Sequence, residues 1–394
     1  FYAFKCNDLP ILVKAVKKAG YQADVAGLFE LELALRLGFE RILFSGPGKS
    51  GEELALAARN PDRVTVIIDN MDELLRLGSM TDGSSMDRKM QVGFRVNSGS
   101  APGAGAPWSK FGFELDRLSE AFRAAGESSN LEWTGLHFHT SWNRTPAAYL
   151  ENIERIGRFL GGRMQGDGLR NLRFLDIGGG FYPENQAVLL KGTDKGVLLD
   201  ILQGRRVGAE RLREELRIDP FSFCVTDVEP LETFAFEISR SLREHIMPLV
   251  PGASIYLEPG RFIAAGSTTI LLRVIAVKQH CVIVDGGINM LGDYKFSEYE
   301  FSPVVNLTRP SERLERRLIY GPLCDPHDMW GYSYYGDGLQ KGDLLAVLHQ
   351  GAYTFSTAWR FIKPIPPYVA HARGRFVLAK RAERFRDRYA GCKI

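Results

Sequence analysis

The chain has 394 residues, 45% hydrophobic and 25% charged, with 50 lysines and arginines against 47 aspartates and glutamates. That length can bury one large core and a smaller one. A net charge of +3 excludes an electrostatic case for nucleic acid or an anionic membrane surface, which leaves a small molecule as the expected partner. Five widely spaced cysteines without a CxxC pair (Cys6, Cys224, Cys281, Cys324, Cys392) argue against disulfides and zinc and for a reducing, cytoplasmic setting. No run approaches the roughly 18 apolar residues of a membrane span. Nothing resembles a cleavable signal, and FYAFKCN opens as if in mid-strand, so residues upstream of Phe1 are expected.

In chain order, short β-branched or aromatic runs alternate with helical patterns. Eight strands are predicted at residues 1–5, 22–26, 41–45, 64–68, 91–96, 134–139, 172–177 and 254–258. Between them lie helices predicted over residues 9–19, 29–37, 51–58, 72–77, 147–160 and 231–245. Two irregular stretches, 78–110 and 190–227, read as loops or insertions. Eight alternations in roughly 260 residues predict a (β/α)8 TIM barrel over 1–261, with a doubly wound open sheet as the rival. From 262 to 394 the texture turns to strand alternation, with a basic helix near 381–389. It predicts a C-terminal, mainly antiparallel β-domain.

In such a barrel, function gathers at the C-terminal strand ends. Lys5, Asp24, Lys49, Asp69, Arg95, His139, Asp176 and Glu258 are all expected there. Lys5 alternates with Phe1 and Ala3, which aims its amine into the barrel mouth, where a desolvated lysine forms Schiff bases; a solvated strand-end lysine is the plain alternative. Gly178, Gly179 and Gly180 let backbone N–H groups approach an anion, or simply make a tight turn. Glu258 and Arg261 flank the Pro259–Gly260 turn, as a site carboxylate beside a ring nitrogen or as a salt-bridged corner. His137 and His139 share a strand face without an evident third ligand, so one is expected to stack or move protons, the other to pack, and no metal is expected. Cys324 and Asp325 in GPLCDPHD, and Tyr353 in GAYT, carry reactive groups that are equally at home as packing residues.

Taken together, FYAFKCN, GLHFH, LDIGGGF, EPGRF, GPLCDPHD and GAYT stand in an order that resembles the pyridoxal 5'-phosphate (PLP) decarboxylases of fold type III, acting on ornithine, diaminopimelate or arginine. SKFGF at 109–113 and the run 23–35, with Asp24 and Glu30, agree. The resemblance spans 1 to about 367. It implies PLP on Lys5, a stacking His139 and a phosphate held by Gly178–Gly180, Arg261 and Tyr353. It further implies Glu258 at the ring nitrogen, with Asp24 and Gly260 also on the cofactor. A homodimer with shared active sites is implied, in which Cys324 of the partner subunit donates a proton and Asp325 meets substrate.

This chain departs from that pattern. Where relatives place a small phosphate-binding residue after the histidine, it reads Thr140, Ser141, Trp142. The segment 287–303 matches no standard specificity pattern, and Glu298 and Glu300 are candidates there for a distal ammonium. The implied reaction is removal of the α-carboxylate from a basic or diamino acid. Racemisation by the same cofactor and a non-catalytic PLP-binding protein are the alternatives.

Overall fold

The computed structural model describes residues 1–82, 88–99, 109–163, 167–184, 187–188, 224–225, 228–291 and 302–393. Backbone contacts divide the chain into two units. The first holds Phe1–Tyr182 and Val228–Phe262, the second Pro183–Asp227 and Ile263–Ile394.

In the first unit eight parallel strands pair in sequence order: β1 (Tyr2–Ala3), β2 (Ala23–Val25), β3 (Ile42–Phe44), β4 (Val64–Ile68), β5 (Met90–Arg95), β6 (Leu131–His137), β7 (Phe174–Asp176) and, after the excursion into the second unit, β10 (Ser254–Tyr256). The sheet curls so that its ends approach: the backbone nitrogen of Phe1 donates to Leu257 O at 2.7 Å, and the Phe1 and Tyr256 rings lie 5.0 Å apart. The interior is packed. Leu43, Ile67 and Phe174 form a buried cluster joined by Phe1 and Tyr256. Phe174 fits only because its neighbour on β6 is Gly135, where a Cβ would sit 2.1 Å from the ring.

The helices cover the outside through local signals. α1 (Pro10–Lys18) starts with proline at its first turn and buries Val13 and Val16, one helical turn apart. α2 covers Leu28–Arg36. α3 (Gly51–Ala58) opens on a capping box in which Ser50 Oγ accepts the Glu53 N–H and the Glu53 carboxylate accepts the Ser50 N–H, an arrangement whose loss costs about 1 kcal/mol. α4 runs from Met71 to Asp82, past the predicted end at 77 and into the stretch read as irregular, because Leu77, Gly78 and Thr81 continue its buried face. α5 (Leu118–Glu127) was not expected, although Leu118, Ala121, Phe122 and Ala125 carry a 3–4 period. α6 (Ala147–Arg163), the short α7 (Asp167–Arg170) and α8 (Leu231–His245) complete the layer.

The second unit contains a two-residue pair, β8 (Ala187–Val188) with β9 (Cys224–Val225). It also contains a closed six-stranded barrel. Its strands are β11 (Ile270–Val277), β12 (Cys281–Val284), β13 (Val304–Asn306), β14 (Leu314–Tyr320), β15 (Met329–Tyr335) and β16 (Leu344–Val347), in the order β11-β12-β14-β15-β13-β16. Pairing is mainly antiparallel, but β12–β14 and β13–β15 are parallel, which the simple alternation of the sequence does not reveal. Leu272, Val274, Val282, Ile319, Trp330 and Leu345 lie in its buried core. A separate hairpin, β17 (Tyr368–Ala372) with β18 (Arg375–Lys380), precedes a single helical turn, Phe385–Arg388, where a longer basic helix was expected. Among the described residues no helix is long and apolar enough to cross a membrane.

Candidate active site

The C-terminal strand ends of the first unit bring together Lys5, Asp24, His137, His139, Asp176 and Glu258. Lys5 does not extend β1. The strand ends at Ala3, and Phe4–Cys6 forms a 3-10 turn, so the predicted alternation with Phe1 and Ala3 fails and the turn directs the amine. Lys5 Nζ lies 3.4 Å from Asp24 Oδ2, with the Lys5 side chain 33% exposed and that of Asp24 fully buried. Ser45, at the end of β3, donates its hydroxyl to Asp24 Oδ1. Burial, then the nearby Glu258, pushes the Asp24 carboxyl up; Lys5 and the Ser45 hydroxyl oppose that. Gly260 lets the β10 turn lie against the lysine turn, since a Cβ there would meet Cys6 Cβ at 2.9 Å.

Glu258 is the carboxylate that the histidine pair lacked in the sequence reading. His137 Nε2 lies 3.4 Å from Glu258 Oε1, and His139 Nδ1 3.4 Å from Oε2. The three side chains offer donor atoms within 4.8 Å of one another. Both histidines therefore face the site, because two residues at a period of two share a face and Glu258, 119 residues after His139, arrives beside them. Burial alone would raise the Glu258 carboxyl; the proximity of His137, then His139 and Lys5, more than offsets this and holds it well below the usual carboxylate range. Asp176 goes the other way, pushed well up by burial and by Glu258 itself. Two neighbouring carboxyls are thus pushed in opposite directions, Glu258 down and Asp176 up. Burial, followed by Lys5, pushes His139 down to about 4, so its ring is neutral near pH 7. Its Nδ1 also faces the Gly179 N–H at 3.2 Å, and serves Gly179 or Glu258 according to tautomer.

The glycine run is dictated by close packing. Gly178 (φ +70°) and Gly180 (φ +90°) occupy the left-handed region, and a Cβ on Gly180 would stand 2.0 Å from Thr140 O. Tyr149 on α6 donates its hydroxyl to Gly179 O at 2.6 Å, and Asn143 N–H donates to Gly180 O at 2.9 Å. Beside the run, the Arg261 guanidinium lies 4.2 Å from the Trp142 ring. Lys49 and Asp69 have structural roles. Lys49, fully buried, donates to Glu73 at 2.8 Å and to Ile67 O at 2.7 Å. Asp69 accepts the Gly112 N–H of SKFGF at 3.0 Å, and Arg95 lies 4.2 Å from the Phe111 ring. Ser45, Asn143 and Tyr149 were missed, since ordinary polar residues carry no motif signal until their partners are known.

Cys324, Asp325 and Tyr353 lie in the second unit. Cys324 is a free, exposed thiol. Asp325 Oδ1 accepts the His327 backbone N–H at 2.8 Å and faces His327 Nδ1 at 3.1 Å. The loop is pinned by buried Asp328, which accepts the N–H groups of Leu323 (2.7 Å) and Ile288 (2.8 Å). Tyr353 holds a left-handed backbone, φ +54°, uncommon for a residue other than glycine and a frequent mark of a functional position. Glu298 and Glu300 lie outside the described residues.

The first unit fits a protonated pyridine ring. Glu258 Oε1 and His137 Nε2 have only their mutual 3.4 Å contact, which falls short of good hydrogen-bond geometry, and the ionised, buried Glu258 is suited to a pyridinium N–H. Comparison with known proteins agrees. Residues 1–191 match the sequence model of the pyridoxal-binding domain of pyridoxal-dependent decarboxylases. The diaminopimelate decarboxylase of Aquifex aeolicus is 26% identical over 404 residues, covering 98% of this chain and 83% of that protein. The L-glutamyl-[BtrI acyl-carrier protein] decarboxylase of Niallia circulans is 27% identical over 405 residues, covering 97% and 84%. The crystal structure of the M. jannaschii diaminopimelate decarboxylase in complex with L-lysine superposes with a TM-score of 0.79 at 21% identity, covering 100% of this chain and 84% of that one, and so shares the fold. Residues 1–191 thus carry the signature of a pyridoxal-binding decarboxylase domain, and nearly the whole chain is similar to the diaminopimelate decarboxylases, which makes it a PLP-dependent decarboxylase.

Proposed function

We propose that this enzyme removes the α-carboxylate of a diamino acid, with PLP carried on Lys5 and two active sites shared across a homodimer. The observation that carries the reading is Glu258: a buried, ionised carboxylate flanked by His137 and His139, at the same barrel end as Lys5. When bound, PLP supplies an electron sink for the pair released as the Cα–carboxylate bond breaks. Each of the chain's own groups has a matching task. Asp24 orients the Lys5 amine. Ionised Glu258 keeps the ring nitrogen protonated, and neutral His139 offers a flat face without adding a positive charge beside it. Gly178–Gly180, Arg261 and Tyr353 hold the phosphate. Cys324 of the partner subunit returns a proton to Cα, giving an amine.

Asp325 is the proposed acceptor for the distal ammonium, a reading supported by the diaminopimelate substrate named for the Aquifex relative and by the L-lysine bound to the M. jannaschii enzyme. Glu298 and Glu300 are proposed to assist at the same end of the substrate. Borohydride reduction of the PLP-loaded protein followed by peptide mass analysis tests the anchor. The cofactor adduct is expected on Lys5, and an adduct on another lysine would overturn the assignment.

A further inference from the structure

Trp142 stands where the family resemblance expects a small hydroxyl residue, and its setting is unusual in two ways. Its backbone holds φ +62°, a left-handed conformation that is strained for a residue other than glycine. The residue is 39% exposed, high for so large an apolar side chain. The loop itself enforces the conformation. Asn143 N–H donates to Gly180 O (2.9 Å), Tyr182 N–H donates to Asn143 O (3.3 Å), and Asn143 Nδ2 donates to Thr140 Oγ1 (2.8 Å). The loop after β6 is thereby tied to the glycine run, and Trp142 is swung over Arg261.

The Arg261 guanidinium carbon lies 4.2 Å from the Trp142 ring and 5.9 Å from the Tyr182 ring, and the two rings are 5.9 Å apart. A guanidinium resting on an aromatic face keeps its in-plane N–H donors for an anion while its plane is fixed. A phosphate monoester offers acceptors on several sides and rewards that geometry.

We propose that Trp142 is a positioning residue for the cofactor phosphate: its indole holds Arg261 in the orientation that grips the phosphate, replacing a direct hydroxyl contact. The inference rests on the PLP reading above. It makes the strain at φ +62° functional, since the left-handed backbone is what carries the ring to the guanidinium.

The test compares uptake of PLP with that of pyridoxal, which has the aldehyde but no phosphate, by cofactor-stripped protein, read by absorbance and by intrinsic fluorescence. Trp142→Gly is expected to fold, because glycine accepts φ +62° freely, yet to weaken PLP by about tenfold while leaving pyridoxal within about twofold. Trp142→Phe, which keeps an aromatic face, is expected to recover most of the PLP affinity. PLP affinity unchanged in Trp142→Gly, or PLP and pyridoxal weakened equally, would overturn the proposal. Wild-type protein that takes up neither aldehyde would overturn the cofactor reading, and this inference with it.

Discussion

His137 Nε2 lies 3.4 Å from Glu258 Oε1, with both side chains at most 1% exposed. The pair places a buried imidazole against the carboxylate proposed to meet the ring nitrogen, and makes Glu258 sensitive to a residue two positions before His139. Replacing Glu258 with Gln keeps shape but removes the charge, and is expected to lower kcat by about 100-fold or more, the scale of losing one preorganised electrostatic contact. His137→Asn is expected to lower kcat less, and to move the acid limb of the kcat profile to higher pH as the Glu258 carboxyl drifts back toward ordinary values. A His137→Asn profile that coincides with wild type would separate the two residues.

Glu30 accepts the Ala26 N–H at 2.7 Å, and burial, partly opposed by that bond, pushes its carboxyl up to about 7 from an ordinary 4.5. Between those values the folded chain holds a proton that the unfolded chain has released, so this group's contribution to stability falls as pH rises from about 4.5 to 7. The difference in melting temperature between Glu30→Gln and wild type is expected to grow in favour of the variant across that window. A constant difference would show that Glu30 is ionised throughout.

Asp328 fixes the loop bearing Cys324 through two backbone N–H groups. Asp328→Ala strands both donors and is expected to cost roughly 2–6 kcal/mol in denaturant unfolding, at about 1–3 kcal/mol for each stranded group. Asp328→Asn retains an acceptor for one donor and is expected to lose less stability. It should lower kcat while PLP uptake, read at Lys5, stays normal.

The proposed two-fold dimer with shared sites is open to complementation. Lys5→Ala and Cys324→Ala are each expected to be nearly inactive alone. Mixed and allowed to exchange, half the dimers are hybrids, each with one intact site, so about a quarter of wild-type activity should return. No recovery despite demonstrated subunit exchange would place Lys5 and Cys324 within one subunit.

Much of the barrel was legible because parallel strands buried on both faces read as short apolar runs, and α3 and α8 fall where periodicity and caps put them. The candidate site was legible where a motif is contiguous: Gly178–Gly180 and Glu258–Arg261 fall at the strand ends where the sequence put them. What stayed hidden depends on long-range geometry. The carboxylate between His137 and His139 comes from 119 residues beyond His139. Lys5 escapes the strand alternation because the chain turns into a 3-10 helix at Phe4. β15 was missed because its run, MWGYSYY, is buried on both faces and shows no period of two. The role of Trp142 depends on Arg261, which no local pattern connects to it.

The most direct test of the central claim is CO2 release by PLP-loaded protein. The panel would be meso-diaminopimelate, L- and D-ornithine, lysine and arginine, with glutamate and aromatic amino acids as controls and Lys5→Ala alongside. The account predicts release from one diamino acid, abolished in Lys5→Ala and strongly reduced in Cys324→Ala. Release confined to an amino acid without a second amine would contradict the substrate proposal, and release that persists in Lys5→Ala would contradict the assigned site.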